Sequence, residues 1–305
     1  MCEVTPLVSV VMPVFNTAAY LDEAINSILK QTFPEFELII INDGSTDDSL
    51  IIIKLWEKKD PRIRLVEQKN KGRSYSRNKG LELAVSDYIV MMDSDDVAMP
   101  DRLRVCYDYL QKHPEVVAVS GQYEKICMYG VSMHVSSLPL EHEFIERDLL
   151  QDKGNSFTQG ASMYRKSLAQ KVGGYNLSYV LGEDADLFLR MALHGKLINL
   201  PDVLLKYRRH PNSITSRGDE KLVDNCMERL KRAWLDRGLV LDGSFEHYLK
   251  NVSRRDKHED ILLFGWNALG KGEVAIARRY AKKLFFFYPF SMGVCRFLYC
   301  AIRGR

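Results

Sequence analysis

The sequence predicts an α/β fold: a doubly wound, mostly parallel sheet flanked by helices, with a helical appendage at the carboxyl end. Three observations carry this. Short apolar runs alternate with helix-spaced apolar stripes through the first hundred residues, the pattern of right-handed βαβ units. Leu7–Val14, Phe36–Ile41 and Tyr88–Met92 are apolar at both alternating positions, as strands buried on two faces are. Beyond about residue 216, helical patterns follow one another with no strand between them.

Taken in order, Leu7–Val14 is a strand ending in Pro13 and the loop Phe15-Asn16-Thr17. Leu21, Ala24, Ile25, Ile28 and Leu29 then mark an amphipathic helix that closes at Thr32–Pro34. Phe36–Ile41 ends in the turn Asn42–Asp48, and Ser49–Trp56 suits a helix. Ile63–Val66 is a short strand, followed by Asn70-Lys71-Gly72 and a helix from Ser74 to Ala84. Tyr88–Met92 comes next, then a helix at Arg102–Lys112 with Asp101 at its start. Val116–Ser120 and Tyr123–Met128 read as two strands, and Glu141–Leu150 as a helix. Gly173-Gly174-Tyr175 marks a sharp turn, Glu183–His194 a helix and Val203–Tyr207 a last strand. Asp219–Asp236, Phe245–Val252, His258–Leu269 and Glu273–Phe287 read as consecutive helices.

Composition excludes several classes. The 305 residues are 46% hydrophobic and 27% charged, ordinary for a globular chain with a sizeable core. A net charge of +3 is too small to argue for nucleic acid. Six cysteines form no CxxC pair and no metal spacing, so buried free thiols in a reducing compartment are expected. No basic region precedes an apolar one at the amino end, so no secretory signal is expected. The apolar-rich stretch Leu284–Ile302 is interrupted by Pro289, Ser291 and Arg296, a poor membrane span. The expected location is cytoplasmic, with a peripheral position on the membrane face as an option.

Four segments leave polar residues just after a strand or at a helix start. Tyr88–Met92 stops in Asp93-Ser94-Asp95-Asp96, which puts three carboxylates at a strand's carboxyl end, where open α/β sheets bind ligands. Carboxylates so close repel unless a cation holds them, and their hard oxygens suit Mg²⁺ or Mn²⁺. A solvated acidic turn is the alternative. Asp43-Gly44-Ser45-Thr46-Asp47 places a carboxylate beside a glycine turn, with Asp47 as a helix cap. Val14-Phe15-Asn16 offers an aromatic wall to a planar base, or is an ordinary turn. Gly72–Gly80 carries Arg77 near the strand ends, suited to phosphate, or to a solvated basic face.

In this order, VSVVMPVFN, QTFPEFELIIINDGSTDDS, NKGRSYSRNKGLELA, YIVMMDSDDVAMPDRL and LGEDADLFLRMALHG resemble glycosyltransferase family 2 over about residues 7–215. The resemblance implies the GT-A fold, with residues 1–216 as catalytic domain and 217–305 as a helical region. It implies an inverting, metal-dependent transfer from a nucleotide sugar, with a UDP-sugar expected, to a saccharide or lipid-linked saccharide hydroxyl. Asp43 is expected to contact the uracil, Arg77 the base or phosphates, and Asp93 the ribose side. Pro13, Phe15 and Ser94 complete the nucleotide-sugar contacts. Asp95, with Asp93 and His210, is expected to hold the divalent ion. Asp184 is the expected base, Glu183 its acceptor-side neighbour, and Asp96 orients the loop or approaches the sugar. A non-catalytic nucleotide- or carbohydrate-binding module with a degenerate site is the alternative, although it would need no base.

From Lys271 onward Glu273 is the only acid, against eight basic residues interleaved with aromatics. This suits a basic amphipathic surface for an anionic membrane, or a terminal helix whose apolar side joins the core.

Overall fold

The computed structural model describes residues 5–152, 156–179, 181–210, 220–239, 257–289 and 291–304. Contacts divide the chain into two compact units. One comprises Met1–Tyr123, Ser136–Tyr207 and Lys221–Asp242, the other Glu124–Val135, Arg208–Glu220 and Gly243–Arg305.

The larger unit begins with β1 (Val8–Val14), α1 (Ala18–Leu29), β2 (Phe36–Asn42), α2 (Ser49–Glu57), β3 (Ile63–Glu67), α3 (Arg73–Leu83) and β4 (Tyr88–Met91). Strands β3, β2, β1 and β4 lie side by side and all parallel. Period-two alternation explains why β1 is apolar toward both faces of the sheet. Val8, Val10, Met12 and Val14 of β1 pack on one face with Leu21, Ile25 and Ile28 of α1. Val11, on the other face, joins the core that includes Leu81 of α3. A strand covered by helices on both sides has no polar face to show.

Beyond β4 the sheet becomes antiparallel. The elements are β5 (Val97–Ala98), α4 (Arg102–Lys112), β6 (Val116–Cys127), β7 (Ser132–Val135), α5 (His142–Leu150), a 3-10 turn at Gln159–Ala161, β8 (Met163–Arg165), α6 (Lys166–Lys171), α7 (Glu183–Ala192) and β9 (Lys196–Arg209). The sheet order is β3-β2-β1-β4-β8-β6-β9-β5. Strand β8 runs antiparallel to both β4 and β6, and β5 antiparallel to β9.

Two expected strands prove to be one. Strand β6 runs unbroken through Gly121, where the sequence suggests a break. The glycine is there for a close approach: a Cβ would stand 2.6 Å from Leu204 Cδ1 and 2.7 Å from the Asp202 carbonyl. Strands β5, β7 and β8 and helix α6 have no sequence signal, being six residues or fewer.

Helix α8 (Glu220–Leu235) lies in the larger unit from Lys221 onward. Arg229 ion-pairs with Asp152 at 2.6 Å, and the Trp234 indole N–H donates to the Leu150 carbonyl at 2.9 Å. The smaller unit joins the end of β6 and strand β7 to α9 (Lys257–Gly270), α10 (Val274–Phe287) and α11 (Met292–Arg303). Its core includes Cys127, Ala268, Tyr280, Leu284, Val294 and Phe297. The helix expected at Phe245–Val252 lies outside the described residues. No helix among the described residues is long and apolar enough to cross a membrane.

Candidate active site

The carboxyl ends of β1, β2 and β4 meet at one edge of the parallel ladder, as consecutive parallel strands must. After β1, Asn16 adopts φ 54°, and its side-chain oxygen accepts from the Thr46 N–H at 2.8 Å. Asp47 Oδ2 accepts from the Ala18 N–H at 3.0 Å and Oδ1 from the Ser49 N–H at 3.0 Å, so one carboxylate holds the starts of α1 and α2. Burial pushes its pKa up, and the Ser49 and Ala18 hydrogen bonds outweigh that and hold it below the usual value. Pro13 is half-buried in β1, and Phe15 stands exposed beyond it. Asp43 is buried at the end of β2. It accepts from Gln68 Nε2 at 2.7 Å, the Lys71 N–H at 2.8 Å and the Gly72 N–H at 2.9 Å, which fixes the loop leading into α3.

The acidic turn after β4 is pinned on both sides. Upstream lies the ladder; downstream, Val97 and Ala98 pair with Lys206 and Leu205 of β9. Ser94 is buried and receives the Thr17 hydroxyl at 2.9 Å, which ties this turn to the β1 loop. Asp96 is buried, whereas Asp93 and Asp95 are partly exposed. Beneath them the fully buried Arg102 donates to the Met91 carbonyl at 2.9 Å. Burial pulls its pKa down to about 10, opposed by Cys106, Asp96 and Asp93, and it remains a cation at neutral pH. Gly160 of the 3-10 turn closes over the same carboxylates. A Cβ there would sit 2.9 Å from Leu205 Cδ2, 3.2 Å from Asp96 Oδ2 and 3.8 Å from Asp93 Oδ2.

Arg77 joins this turn to the start of α7. Its Nη2 donates to Asp93 Oδ1 at 2.9 Å and its Nη1 to Glu183 Oε1. In the amide orientation that satisfies both neighbours, Gln159 presents its oxygen to Arg77 Nη2 at 2.7 Å and its nitrogen to the Tyr175 hydroxyl at 3.2 Å. The Arg77 guanidinium also lies 5.6 Å from the Tyr175 ring centre. Burial lowers the pKa of Arg77, and Asp93 and Glu183 together more than restore it, so it stays charged. At 2% exposure Arg77 shows almost no surface to a ligand.

Glu183, also 2% exposed, takes a second cation: Arg73 reaches Oε1 at 2.8 Å and Oε2 at 3.1 Å. Asp184 is its opposite. It lies in the first turn of α7, is partly exposed, and its Oδ1 accepts from the adjacent Ala185 N–H at 2.8 Å. Its charge still reaches Arg77. Of the two neighbouring acids, one is committed to the scaffold and one faces outward.

The structure thus gathers Asp93, Asp95, Asp96, Ser94, Arg77, Glu183 and Asp184 in the larger unit, with Asp43 and Phe15 on the adjoining loops. His210, directly after β9, is buried and belongs to the smaller unit. Among the described residues no three His, Cys, Asp or Glu side chains are gathered so as to hold a metal ion. Sequence reasoning missed Gln159, Gly160, Tyr175 and Arg102. Only the Gly-Gly-Tyr turn gave any signal, and it reads equally as a bend.

The chain is similar in sequence and in fold to known proteins. An uncharacterized glycosyltransferase of Haemophilus influenzae is 32% identical over 224 residues, covering 69% of this chain and 68% of its own. The amylovoran biosynthesis glycosyltransferase AmsE of Erwinia amylovora is 27% identical, covering 77% of this chain and 88% of its own. S. aureus TarS 1-349, solved with UDP-GlcNAc, superposes with a TM-score of 0.64 at 19% identity, over 98% of this chain and 92% of its own. The mannosyltransferase PcManGT of Pyrobaculum calidifontis, solved with GDP-Man and Mn²⁺, gives 0.56 at 19% identity, over 98% and 86%. These solved relatives bear out the fold expected from the sequence. The family profile described as Glycosyl transferase family 2 matches residues 9–173, from β1 past the acidic turn and Gly160. With more than half the chain under that profile, the protein belongs to glycosyltransferase family 2 and is a glycosyltransferase.

Proposed function

We propose that the chain transfers a sugar from a nucleoside diphosphate sugar to a hydroxyl of a saccharide or lipid-linked saccharide, with inversion, in the synthesis of a polysaccharide or cell-surface glycan. The observation that carries this is the division of labour between Glu183 and Asp184. Glu183 is bound by two guanidiniums and buried, so it cannot exchange protons with a substrate. Asp184, held beside it by the same helix turn, is exposed enough to do so. In a single displacement one carboxylate removes the proton from the acceptor hydroxyl as its oxygen attacks the anomeric carbon. The bond to the diphosphate breaks on the opposite side, and the nucleoside diphosphate leaves with the electron pair.

The donor set at the end of β4 fits a hard divalent cation. Asp93 and Asp95 offer carboxylate oxygens, and Mg²⁺-type ions are held through one or two carboxylates plus substrate phosphates and water, without an all-protein cage. Asp95, with Asp93, would hold the ion, which when bound offsets the charge of the departing diphosphate. Arg77 serves in this reading to fix Asp93, Asp43 to shape the loop leading into α3, and Phe15 to offer a wall on which a base would stack. AmsE's role in amylovoran biosynthesis supports a polysaccharide product, and the UDP-GlcNAc and GDP-Man complexes support a nucleoside diphosphate donor.

The test is calorimetry with UDP and Mn²⁺ together with donor turnover. Asp95→Ala should remove the metal-dependent part of UDP binding. Asp184→Asn should leave UDP binding intact and abolish transfer. Equal UDP affinity with and without Mn²⁺ in the unaltered protein would exclude the assigned cation site, and full transfer by Asp184→Asn would exclude the base.

A further inference from the structure

The smaller unit presents a cationic, aromatic surface that its own core does not use. Helix α10 packs inward through Ala277, Tyr280, Ala281 and Leu284, and α11 through Val294, Phe297 and Ala301. That leaves a second face on each helix. On α10 it carries Arg278, Arg279, Lys282, Phe285 and Phe286, spaced three or four apart. On α11 it carries Met292, Arg296, Tyr299 and Ile302 at the same spacing. Phe286 is 80% exposed and Met292 88%, and Phe285 and Tyr288 are exposed too, at the end of α10 and the start of α11. The sequence left open whether these aromatics join the core or face outward, and the structure turns Phe285, Phe286 and Tyr299 outward.

Charge says what the surface suits. From residue 274 to 304 there are six lysines and arginines and no aspartate or glutamate. Arg278 is spent on the scaffold, donating to the Ala301 and Ile302 carbonyls at 3.0 and 2.8 Å. Arg279, Lys282 and Lys283 instead rim an apolar groove of about 600 Å³, completed by Tyr129, Phe285 and Phe286. Apolar side chains at a helix corner with cations behind them match the two layers of a bilayer surface: acyl boundary below, anionic headgroups above. Aromatic rings sit well at that level, and long cationic side chains reach the headgroups from it. We infer that the α10–α11 corner docks on an anionic membrane surface, with Phe285, Phe286 and Met292 inserted and Arg279, Lys282 and Lys283 on the headgroups.

This inference does not depend on the transferase reading, and its test has no activity readout. The full chain is sedimented with vesicles of phosphatidylcholine, with and without phosphatidylglycerol, at low and high salt. It should bind only the anionic vesicles and be released by salt, because headgroup attraction is screened. Lys282→Gln with Lys283→Gln should weaken binding roughly fivefold for each cation removed. Phe286→Ser with Met292→Ser should abolish stable binding even at low salt. Both variants alter side chains outside the core, so their melting should match the parent. Equal binding to neutral vesicles, or unchanged binding by both variants, would overturn the inference. So would failure to bind vesicles combined with self-association that Phe286→Ser removes by light scattering, which would assign the face to a second copy. Should the double serine variant fail to fold, the lysine variant and the salt dependence of the parent still decide.

Discussion

Arg77 Nη2 lies 2.9 Å from Asp93 Oδ1 while Nη1 is bonded to Glu183, so one buried guanidinium joins the end of β4 to the first turn of α7. The two carboxylates come from positions ninety residues apart. A planar fork is suited to holding two acids at fixed angles, which a lysine ammonium is not.

Removing the fork leaves Glu183 buried with one cation in place of two. Arg77→Met should therefore lower unfolding stability by about 3–5 kcal/mol, the usual cost of breaking a buried pair from one side. Urea unfolding measures this. Combining Arg77→Met with Glu183→Gln should recover part of the loss, because the stranded carboxylate is then gone. A double variant no more stable than the single one would show that the two side chains are not coupled.

Gly160→Ala should separate catalysis from stability. The added methyl meets Leu205 Cδ2 at 2.9 Å and the Asp96 carboxylate at 3.2 Å, both side-chain ends that can yield a little. The fold should survive with a loss near 1 kcal/mol, within the usual range for a small-to-large change. Displacing the acidic turn should nevertheless cut transfer about a hundredfold, as misplacement near 1 Å does in well-oriented sites. Turnover and melting, measured on the same preparation, check this.

The Arg102 side chain fills the space beneath the turn as well as charging it. Arg102→Met keeps most of the volume and strands the Met91 carbonyl, a loss of about 1–3 kcal/mol. Arg102→Ala should lose more, since a cavity is added to the missing donor. Equal denaturant midpoints for the two variants would mean that packing contributes nothing there.

Asp47 gives a pH-dependent expectation. Its folded pKa lies below the ordinary 3.8, so its stabilisation is fully present above that value and fades as pH falls through the folded one. Asp47→Ala should cost about 1 kcal/mol at neutral pH, the worth of a helix cap. The difference between parent and variant should shrink in acid below 3.8. Urea titrations at neutral and acid pH measure it, and a gap that widened in acid would contradict the assignment.

The amino-terminal ladder was legible because β1, β2 and β4 are largely buried and their ends are marked by turn residues: Asn16, Asp43-Gly44, Asp93–Asp96. The antiparallel extension was not. Strand β8 has three residues and β5 two, too few for a period to appear. Gly121 looked like a break and is a contact with Leu204. Arg102 read as an ordinary helix-start residue, because nothing local distinguishes an arginine turned under a strand from one in water.

From the sequence alone came the fold class, the family and the acids that converge at the strand ends, since local periodicity and ordered motifs are properties of neighbours along the chain. The tertiary structure decided the rest. Only it separates Glu183 from Asp184, assigns Arg77 to Asp93 and Glu183, brings Gly160 over the acidic turn and faces Phe286 outward. Each of those depends on burial and on partners far away in sequence, and one residue type serves as scaffold or as site according to which of these it finds.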